Sequence, residues 1–223
     1  MIITLTGCLH GHYPKLEGGD LLIVTGDLTA RDTSVEYSEC LTWLMNQPYS
    51  KKIFIGGNHD NLLVGSIPKK HFNCNENECF EYLCDSGTEF EGLRIWGSPW
   101  TKTFPGMNQK CKAFTFDTEE DLFERFSLIP DDIDILITHS PPNGILDGIP
   151  MEDGSLFHVG SKALYNWLKY AGRPKLHVFS HIHEAYGKAE VFPTYDNKMM
   201  VSVNCSHVNE RYQPVNKPIK VIL

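Results

Sequence analysis

The stretch KKIFIGGNHD, residues 51–60, is a short apolar run that ends in two glycines followed by Asn58, His59 and Asp60. Its length and β-branched content are typical of a strand that is buried on both faces. Taken alone, the GGNHD segment indicates a tight turn, because Gly and Asn tolerate positive φ angles. The same arrangement recurs four more times in the chain, and this repetition predicts the architecture.

The four other apolar runs also stop at polar or small residues. They are MIITLTG (1–7), DLLIVTGD (20–27), IDILITHSPP (133–142) and KLHVFSHIH (175–183). Three segments between or after them have helical patterns: SVEYSECLTWLMNQ (34–47) capped by Thr33 or Ser34, TEEDLFERFSL (118–128) capped by Thr118, and GSKALYNWLKYAG (160–172) beginning at Ser161. FEGLRIWGSPW (90–100) is predicted to form the second half of a hairpin, and EAYGKAEVF (184–192), KMMVSVNCS (198–206) and PIKVIL (218–223) are predicted strands. Strands that alternate with helices predict an α/β layered domain with a mixed sheet, or two stacked sheets flanked by helices.

The composition is that of an ordinary soluble globular protein, with 223 residues, 41% hydrophobic and 22% charged. We expect one domain over residues 1–223 and no membrane partner, because no apolar run reaches the length of a membrane span. The formal net charge of -8 argues against a duplex nucleic acid as partner. The N-terminus enters a strand without a signal-peptide pattern, and the seven cysteines are an odd number, so a reducing cytoplasmic location is expected.

The polar residues that carry chemistry follow the predicted strands rather than being scattered. The carboxyl ends of parallel strands lie along one edge of a sheet, so five such strands would deliver their polar residues to one place. Each residue alone has a plain structural explanation as a turn, cap or loop residue. Together they predict a site, and its members are Cys8, His10, Asp27, Asn58, His59, Asp60, His139, His181 and His183. By contrast His177, which alternates with apolar neighbours, is predicted to be a packing residue, and Cys74, Cys79 and Cys84, spaced by five, lack the CxxC pattern of a zinc knuckle.

The order of these motifs and their residues resemble those of the calcineurin-like metallophosphoesterases, which carry D-x-H, G-D, G-N-H-[DE], a histidine and G-H-x-H. This chain has CLH (8–10), GD (26–27), GNHD (57–60), THSPP (138–142) and SHIH (180–183). It is similar to a small branch that contains the metallophosphoesterase-domain-containing proteins, which are linked to cyclic nucleotide hydrolysis. Cys8 stands where the family has its first Asp, and Ser180 replaces a Gly. His181 is retained, whereas the vertebrate branch often has Gly there.

The resemblance implies a layered α/β/β/α fold with two mixed sheets flanked by helices, and a centre of two divalent metal ions, Mn, Zn or Fe. The implied ligands are Cys8, His10, Asp27 and His183 for the first metal, and Asp27, Asn58, His139 and His181 for the second, with Asp27 as the bridge. Three interpretations of Cys8 are open: a thiolate ligand that favours Zn or Fe, an inert packing residue, or a redox-sensitive ligand. We favour the ligand.

The activity that the resemblance implies is hydrolysis of phosphodiesters, possibly cyclic nucleotides, by a hydroxide that the two metals activate, with His59 assisting the leaving group. Asp60 would orient His59 or shape the turn. Substrate-binding candidates are Asn58, His59, His12 and Asn204. A small phosphorylated substrate is therefore the expected partner. The alternatives are a nuclease acting on single-stranded ends and a non-catalytic metal-binding scaffold of the same fold.

Overall fold

Two β-sheets pack face to face, and three helices cover their outer faces. The computed structural model describes residues 1–65, 80–104, 107–194 and 196–223. The candidate residues Cys74 and Cys79 lie outside these ranges. The elements in chain order are β1 (Ile2–Thr6), β2 (Gly19–Val24), α1 (Ser34–Met45), β3 (Tyr49–Phe54), β4 (Phe80–Tyr82), β5 (Ser86–Phe90), β6 (Leu93–Ser98), β7 (Thr101–Lys102), β8 (Thr115–Phe116), α2 (Glu119–Phe126), β9 (Ile135–Thr138), β10 (Gly148–Pro150), β11 (Leu156–His158), α3 (Lys162–Tyr170), β12 (Leu176–Phe179), β13 (Ala189–Pro193), β14 (Met199–Asn204) and β15 (Ile219–Ile222), with 3₁₀ turns at Asn61–Leu63 and His183–Ala185.

Both sheets are mixed, as predicted. The first has the order β15-β1-β2-β3-β4, in which β1 to β4 are parallel and β15 is antiparallel. The second has the order β13-β14-β12-β9-β6-β5, with a parallel centre and an antiparallel strand at each edge. The short pairs β7–β8 and β10–β11 lie outside these two sheets.

The strands of the first sheet are apolar on both faces because each face is covered. Leu21 and Ile23 of β2 point into the core between the sheets, and Leu22 and Val24 point to the core under α1. The helices α2 and α3 cover the second sheet, where Leu136 of β9 packs among their side chains. Near-continuous apolar strands are the expected result of this double coverage.

The predicted helix starts are confirmed. Thr33 caps α1 and forms a capping box with Glu36, and Thr118 and Ser161 cap α2 and α3. In each case the side-chain oxygen of the cap accepts a hydrogen bond from a backbone N–H in the first turn. None of the helices in the described part of the chain is long and apolar enough to cross a bilayer.

The strand registers bring the polar loops to one edge of the two sheets. Thr6 of β1 pairs with Val24 of β2, and Val24 pairs with Phe54 of β3. In the second sheet Val178 of β12 pairs with Ile137 of β9. Strands aligned in this way end at the same level, so the five loops that follow them converge.

Candidate metal centre

Four of the candidate site residues on the loops that converge at this edge have left-handed backbone conformations. The φ angles are 44° at Cys8, 44° at His10, 51° at Asp27 and 63° at His181. Such conformations carry strain and persist only where the surrounding contacts fix them. Here the Cys8 N–H donates to the Gly26 carbonyl at 2.9 Å, and the His10 N–H donates to the Asp27 carbonyl at 2.8 Å. The first two loops therefore hold each other in place.

Position 57, in the GGNHD stretch, requires glycine because Asp27 and His139 lie too close to its backbone to leave room for a Cβ. A Cβ at this position would lie 2.3 Å from Asp27 Oδ1 and 2.6 Å from His139 Cε1. Both distances are far below van der Waals contact. A side chain at Gly57 would therefore displace Asp27 and His139 from each other, so this glycine allows the two sheets to share one site.

Asp27 lies at the centre of the cluster and is 2% exposed. Its Oδ2 atom is 3.5 Å from His10 Nε2, 3.4 Å from His139 Nε2 and 4.0 Å from Cys8 Sγ. Its Oδ1 atom accepts a hydrogen bond of 2.9 Å from the His59 backbone N–H. One carboxylate therefore contacts donors from both sheets, which is the position that a bridging ligand requires.

One group of donors consists of Cys8, His10 and His183, whose ligand atoms lie within 4.8 Å of one another. The Nε2 atom of His10 is buried and has no hydrogen-bond partner. His183 Nδ1 lies 3.0 Å from the Asn209 carbonyl, which leaves the other ring nitrogen for a ligand. The Cys8 Sγ atom accepts a hydrogen bond of 3.0 Å from the His181 backbone N–H. A buried imidazole nitrogen without a partner fits a bound cation, because such an atom otherwise destabilises the fold.

The second group combines Asp27 with Asn58, His139 and His181. His139 Nε2 lies 3.0 Å from Asn58 Oδ1, and His139 Nδ1 lies 2.8 Å from the Thr25 carbonyl. The ring centroids of His139 and His181 are 5.0 Å apart. The Asn58 amide nitrogen donates to the Cys111 carbonyl at 3.2 Å, which turns the amide oxygen toward the histidines. All four predicted donors of this second set therefore come together.

Burial controls the protonation states in this cluster. Burial lowers the pKa of His10 to about 3 and lowers the pKa values of His181 and His183, so these imidazoles are neutral, the form that binds metals. Burial opposes ionisation of Asp27, but the histidines around it hold the pKa of that carboxyl well below its usual range. Burial and the charge of Asp27 raise the pKa of the Cys8 thiol, so a cation that binds its sulfur must displace the proton.

His59 is half-buried and lies beside a cavity of about 360 Å³. Its ring centroid is 4.6 Å from that of His10, and its Nδ1 atom is 3.5 Å from Cys111 Sγ. Tyr212 also lines the cavity, with its ring centroid 4.8 Å from that of His10. The sequence marks neither Cys111 nor Tyr212 with a motif. The aromatic segment that precedes α2 contributes Phe104 to the cavity wall.

The comparison with known proteins agrees with this geometry. A family model described as calcineurin-like phosphoesterase matches residues 1–185. The chain belongs to that family. Members use divalent metal ions, and both donor groups described above suit such ions by residue type. Among the described residues, the ligand atoms of Cys8, His10 and His183 lie within 4.8 Å of one another, as do those of Cys8, Asp27 and His139. The family resemblance inferred from the sequence motifs is therefore confirmed, as is the α/β/β/α fold.

Among curated relatives, the human metallophosphoesterase domain-containing protein 1 is 37% identical over 226 residues, covering 92% of this chain and 65% of the relative. A UPF0046 protein of Caenorhabditis elegans is 31% identical over 242 residues, covering 96% of this chain and 57% of the relative. The chain spans less than two thirds of the length of these relatives. A crystal structure that is 12% identical, with a TM-score of 0.62, covers 99% of this chain and 98% of its own and shares the fold.

Three residues predicted to act in catalysis or substrate binding lie apart from the cavity wall of the described residues. The Asp60 carboxylate accepts hydrogen bonds from the Gly57 and Leu28 backbone N–H groups at 2.8 and 3.0 Å, so it fixes the turn around His59. His12 is exposed on the loop after β1. Asn204 is fully buried, and its amide nitrogen donates to the Ser180 and Ile182 carbonyls at 3.0 and 2.9 Å. Their roles in catalysis and substrate binding remain predictions.

Proposed function

We propose that this chain is a metal-dependent phosphoesterase that hydrolyses small phosphodiesters, with His59 assisting departure of the leaving group. The observation that carries the proposal is the placement of His59: its backbone is fixed by Asp27, while its half-buried ring faces the cavity next to both donor groups. A histidine that is close to the metal ligands but is not needed to complete either set is free for proton transfer. Family membership supports the reaction class.

Cys8, His10, Asp27 and His183 would hold the first cation, and Asp27, Asn58, His139 and His181 the second. Two divalent cations, when bound, supply an activated water nucleophile and neutralise charge on the phosphoryl oxygens. The protein contributes the fixed geometry of these donors and the neutral state of His10, His181 and His183. His59 contributes a proton to the departing ester oxygen from the ring nitrogen that does not face Cys111.

The charge of the cavity wall favours a diester over a monoester. Apart from Asp27, whose charge the cations offset, the carboxylates of Glu184 and Glu210 line it, and the described lining residues include no Lys or Arg. A phosphomonoester carries up to two negative charges at neutral pH and a diester carries one, so the acidic wall repels the monoester more strongly. Phe104 and Tyr212 add two aromatic rings that can contact an organic substituent, and cyclic nucleotides are one class of diester with such a substituent.

The first experiment combines metal analysis with a substrate panel. Purified protein loaded with Mn, Zn or Fe is assayed on bis-p-nitrophenyl phosphate, p-nitrophenyl phosphate, cyclic nucleotides and single-stranded oligonucleotides. We expect about two metal ions per chain and a kcat/KM for the diester at least tenfold above that for the monoester. Inactivity toward every substrate with every metal would instead support the non-catalytic scaffold. Cleavage of oligonucleotides alone would support the nuclease.

The second experiment assigns the role of His59. We expect His59→Gln to lower kcat by a factor of about 10² to 10³ for diesters with a poor alkoxide leaving group, because such a group requires a proton. For a p-nitrophenolate leaving group, which departs without protonation, we expect a loss of less than tenfold. His158→Gln, a half-exposed histidine outside the cavity wall, is the control. Equal losses across the leaving-group series would rule out the proton-transfer role.

A further inference from the structure

Among the residues that the structure describes, two thiols approach the histidine cluster, and one of them has a place in the metal centre. Cys8 lies among the ligands of the first metal, whereas Cys111 lies on the loop between β7 and β8 and lines the open cavity. Cys111 is only partly buried, so its sulfur is accessible to solutes that enter the cavity. Its Sγ atom is 3.5 Å from His59 Nδ1.

This separation matches the spacing of two ligands on one zinc ion. With Zn–S at about 2.3 Å and Zn–N at about 2.0–2.1 Å, tetrahedral geometry places the sulfur and the nitrogen about 3.5 Å apart. We propose that Cys111 and His59 Nδ1 form an accessory zinc site at the wall of the cavity, separate from the two donor groups of the metal centre. Water completes the coordination of the ion there.

The two donors are held in position by contacts between their loops. The Ala113 backbone N–H donates to the Asn58 carbonyl at 3.1 Å, and the Asn61 side-chain amide donates to the Lys110 carbonyl at 2.8 Å. The Asn58 side-chain amide also donates to the Cys111 carbonyl. These contacts therefore involve residues before and after both Cys111 and His59 in the chain. Zinc binding therefore requires little ordering of the chain, which limits the entropic cost.

The cavity also favours a third cation electrostatically. Glu184 and Glu210 line it together with Asp27, and their negative charges offset repulsion from cations in the metal centre. Binding forms a Zn–S and a Zn–N bond, displaces waters of hydration until two remain on the tetrahedral ion, and releases the thiol proton to solvent.

The consequence for catalysis rests on the proposed function of His59. A zinc ion on Nδ1 prevents that nitrogen from taking up a proton and adds positive charge beside the ring. The accessory ion therefore inhibits the phosphoesterase at zinc concentrations above those that fill the metal centre. Inhibition of this kind is independent of Cys8, because that thiol belongs to the first donor group.

Zinc stoichiometry tests the site without any assay of activity. Metal-free full-length protein is titrated with Zn²⁺ by equilibrium dialysis and elemental analysis. We expect one more zinc ion per chain for wild type than for Cys111→Ser, or binding of that ion at least tenfold weaker in the variant. Cys84→Ser, which removes another partly buried thiol outside the cavity wall, is the matched control and is expected to bind as wild type. Identical zinc isotherms for wild type and Cys111→Ser would overturn the proposal.

Thiol labelling gives a second measurement that does not depend on turnover. N-ethylmaleimide is expected to label Cys111 in protein with two equivalents of Zn²⁺, and a third equivalent is expected to slow this labelling at least tenfold, as read by peptide mass spectrometry. Labelling of Cys84 is expected to be unaffected. Equal Cys111 labelling at two and at six equivalents would contradict the site. Neither measurement requires an active enzyme. If the protein is inactive on every substrate, the two measurements therefore still show whether Cys111 and His59 bind zinc, and the proposed function fails independently of the zinc site.

Discussion

At the scale of single residues, we expect Cys8 to determine how the first metal position discriminates among cations. A thiolate keeps the charge of the carboxylate it replaces but is a softer ligand, which favours Zn or Fe over Mn. The geometry is suited to this role, since its sulfur lies within 4.8 Å of the ligand atoms of His10 and His183. We expect Cys8→Ser to lower metal content toward one ion per chain, and Cys8→Asp to keep two ions and shift preference toward Mn.

Elemental analysis after dialysis against equal concentrations of Zn and Mn measures both effects. Cys205→Ser is the control, because Cys205 is equally buried but belongs to the core between the sheets. Unchanged metal content and unchanged preference in both Cys8 variants would favour the interpretation in which Cys8 packs inertly.

His177 is a buried residue whose effect on stability depends on pH. It lies in β12 with its Nε2 atom 2.9 Å from Thr138 Oγ1, and burial lowers its pKa from 6.5 to about 3. Below pH 6.5 the unfolded chain binds a proton at this histidine and the folded chain does not, so stability present above pH 6.5 is lost as the pH falls toward 3. This effect amounts to roughly 2 kcal/mol between pH 6.5 and 4.5.

We therefore expect His177→Gln to flatten the pH dependence of the free energy of unfolding by roughly that amount. Glutamine does not titrate and can keep a hydrogen bond to Thr138. Urea unfolding of metal-free protein at pH 7.0, 6.0 and 4.5 measures the difference between wild type and variant, and subtraction removes the contribution of the other histidines. A pH slope shared by both proteins would show that His177 is protonated in the fold.

At the scale of elements, the loop after β12 depends on its neighbour β14. Phe179 pairs with Asn204 in the parallel register, and the Asn204 amide then donates to the carbonyls of Ser180 and Ile182 on either side of His181. These bonds hold His181 at its φ of 63°. Strand β14 contributes no ligand to the two donor groups described above. It nevertheless fixes the position of His181, which belongs to the second group.

Loss of this clamp should weaken the second metal position. We expect Asn204→Ala to lower the free energy of unfolding by about 2–4 kcal/mol, because two buried carbonyls lose their donor. We also expect the affinity for the second metal ion to fall at least tenfold, measured by calorimetric titration. Asn166→Ala, on the exposed face of α3, is the control. Wild-type affinity for two metals in a folded Asn204→Ala protein would show that the clamp is dispensable.

At the scale of the whole molecule, the donor groups connect the two sheets. Cys8, His10, Asp27 and Asn58 follow strands of the first sheet, whereas His139, His181 and His183 follow strands of the second. Metal bound to such a set stabilises only the folded state, by about 2.7 kcal/mol per site at a hundredfold excess over Kd. With two sites filled, we expect chelation to lower Tm by about 10–20 °C and added Mn or Zn to restore it.

Differential scanning calorimetry of chelated and reloaded protein checks this prediction. Asp27→Asn provides the comparison, since loss of the shared carboxylate should remove most of the metal-dependent increase in Tm. A Tm that is insensitive to metal in the wild-type protein would mean that the donors do not bind cations in the folded state.

The sequence by itself determined most strands of the two sheets, the helix caps and the candidate residues that the fold then brings together. Apolar runs and caps such as Thr33 are local patterns, and each ligand lies within a few residues of the end of its strand, so parallel topology alone gathers them. The tertiary structure alone decided which residues from distant parts of the chain reach the cavity. Cys111 is 52 residues from His59 in the chain, and Tyr212 lies in a C-terminal loop, so only packing brings them to the cavity. The GGNHD stretch likewise has some features that its sequence predicts and others that only the tertiary structure creates. Its residue types indicate a turn and a ligand, but the contacts of the Asp60 carboxylate and the closeness of Gly57 to His139 follow from how the two sheets meet.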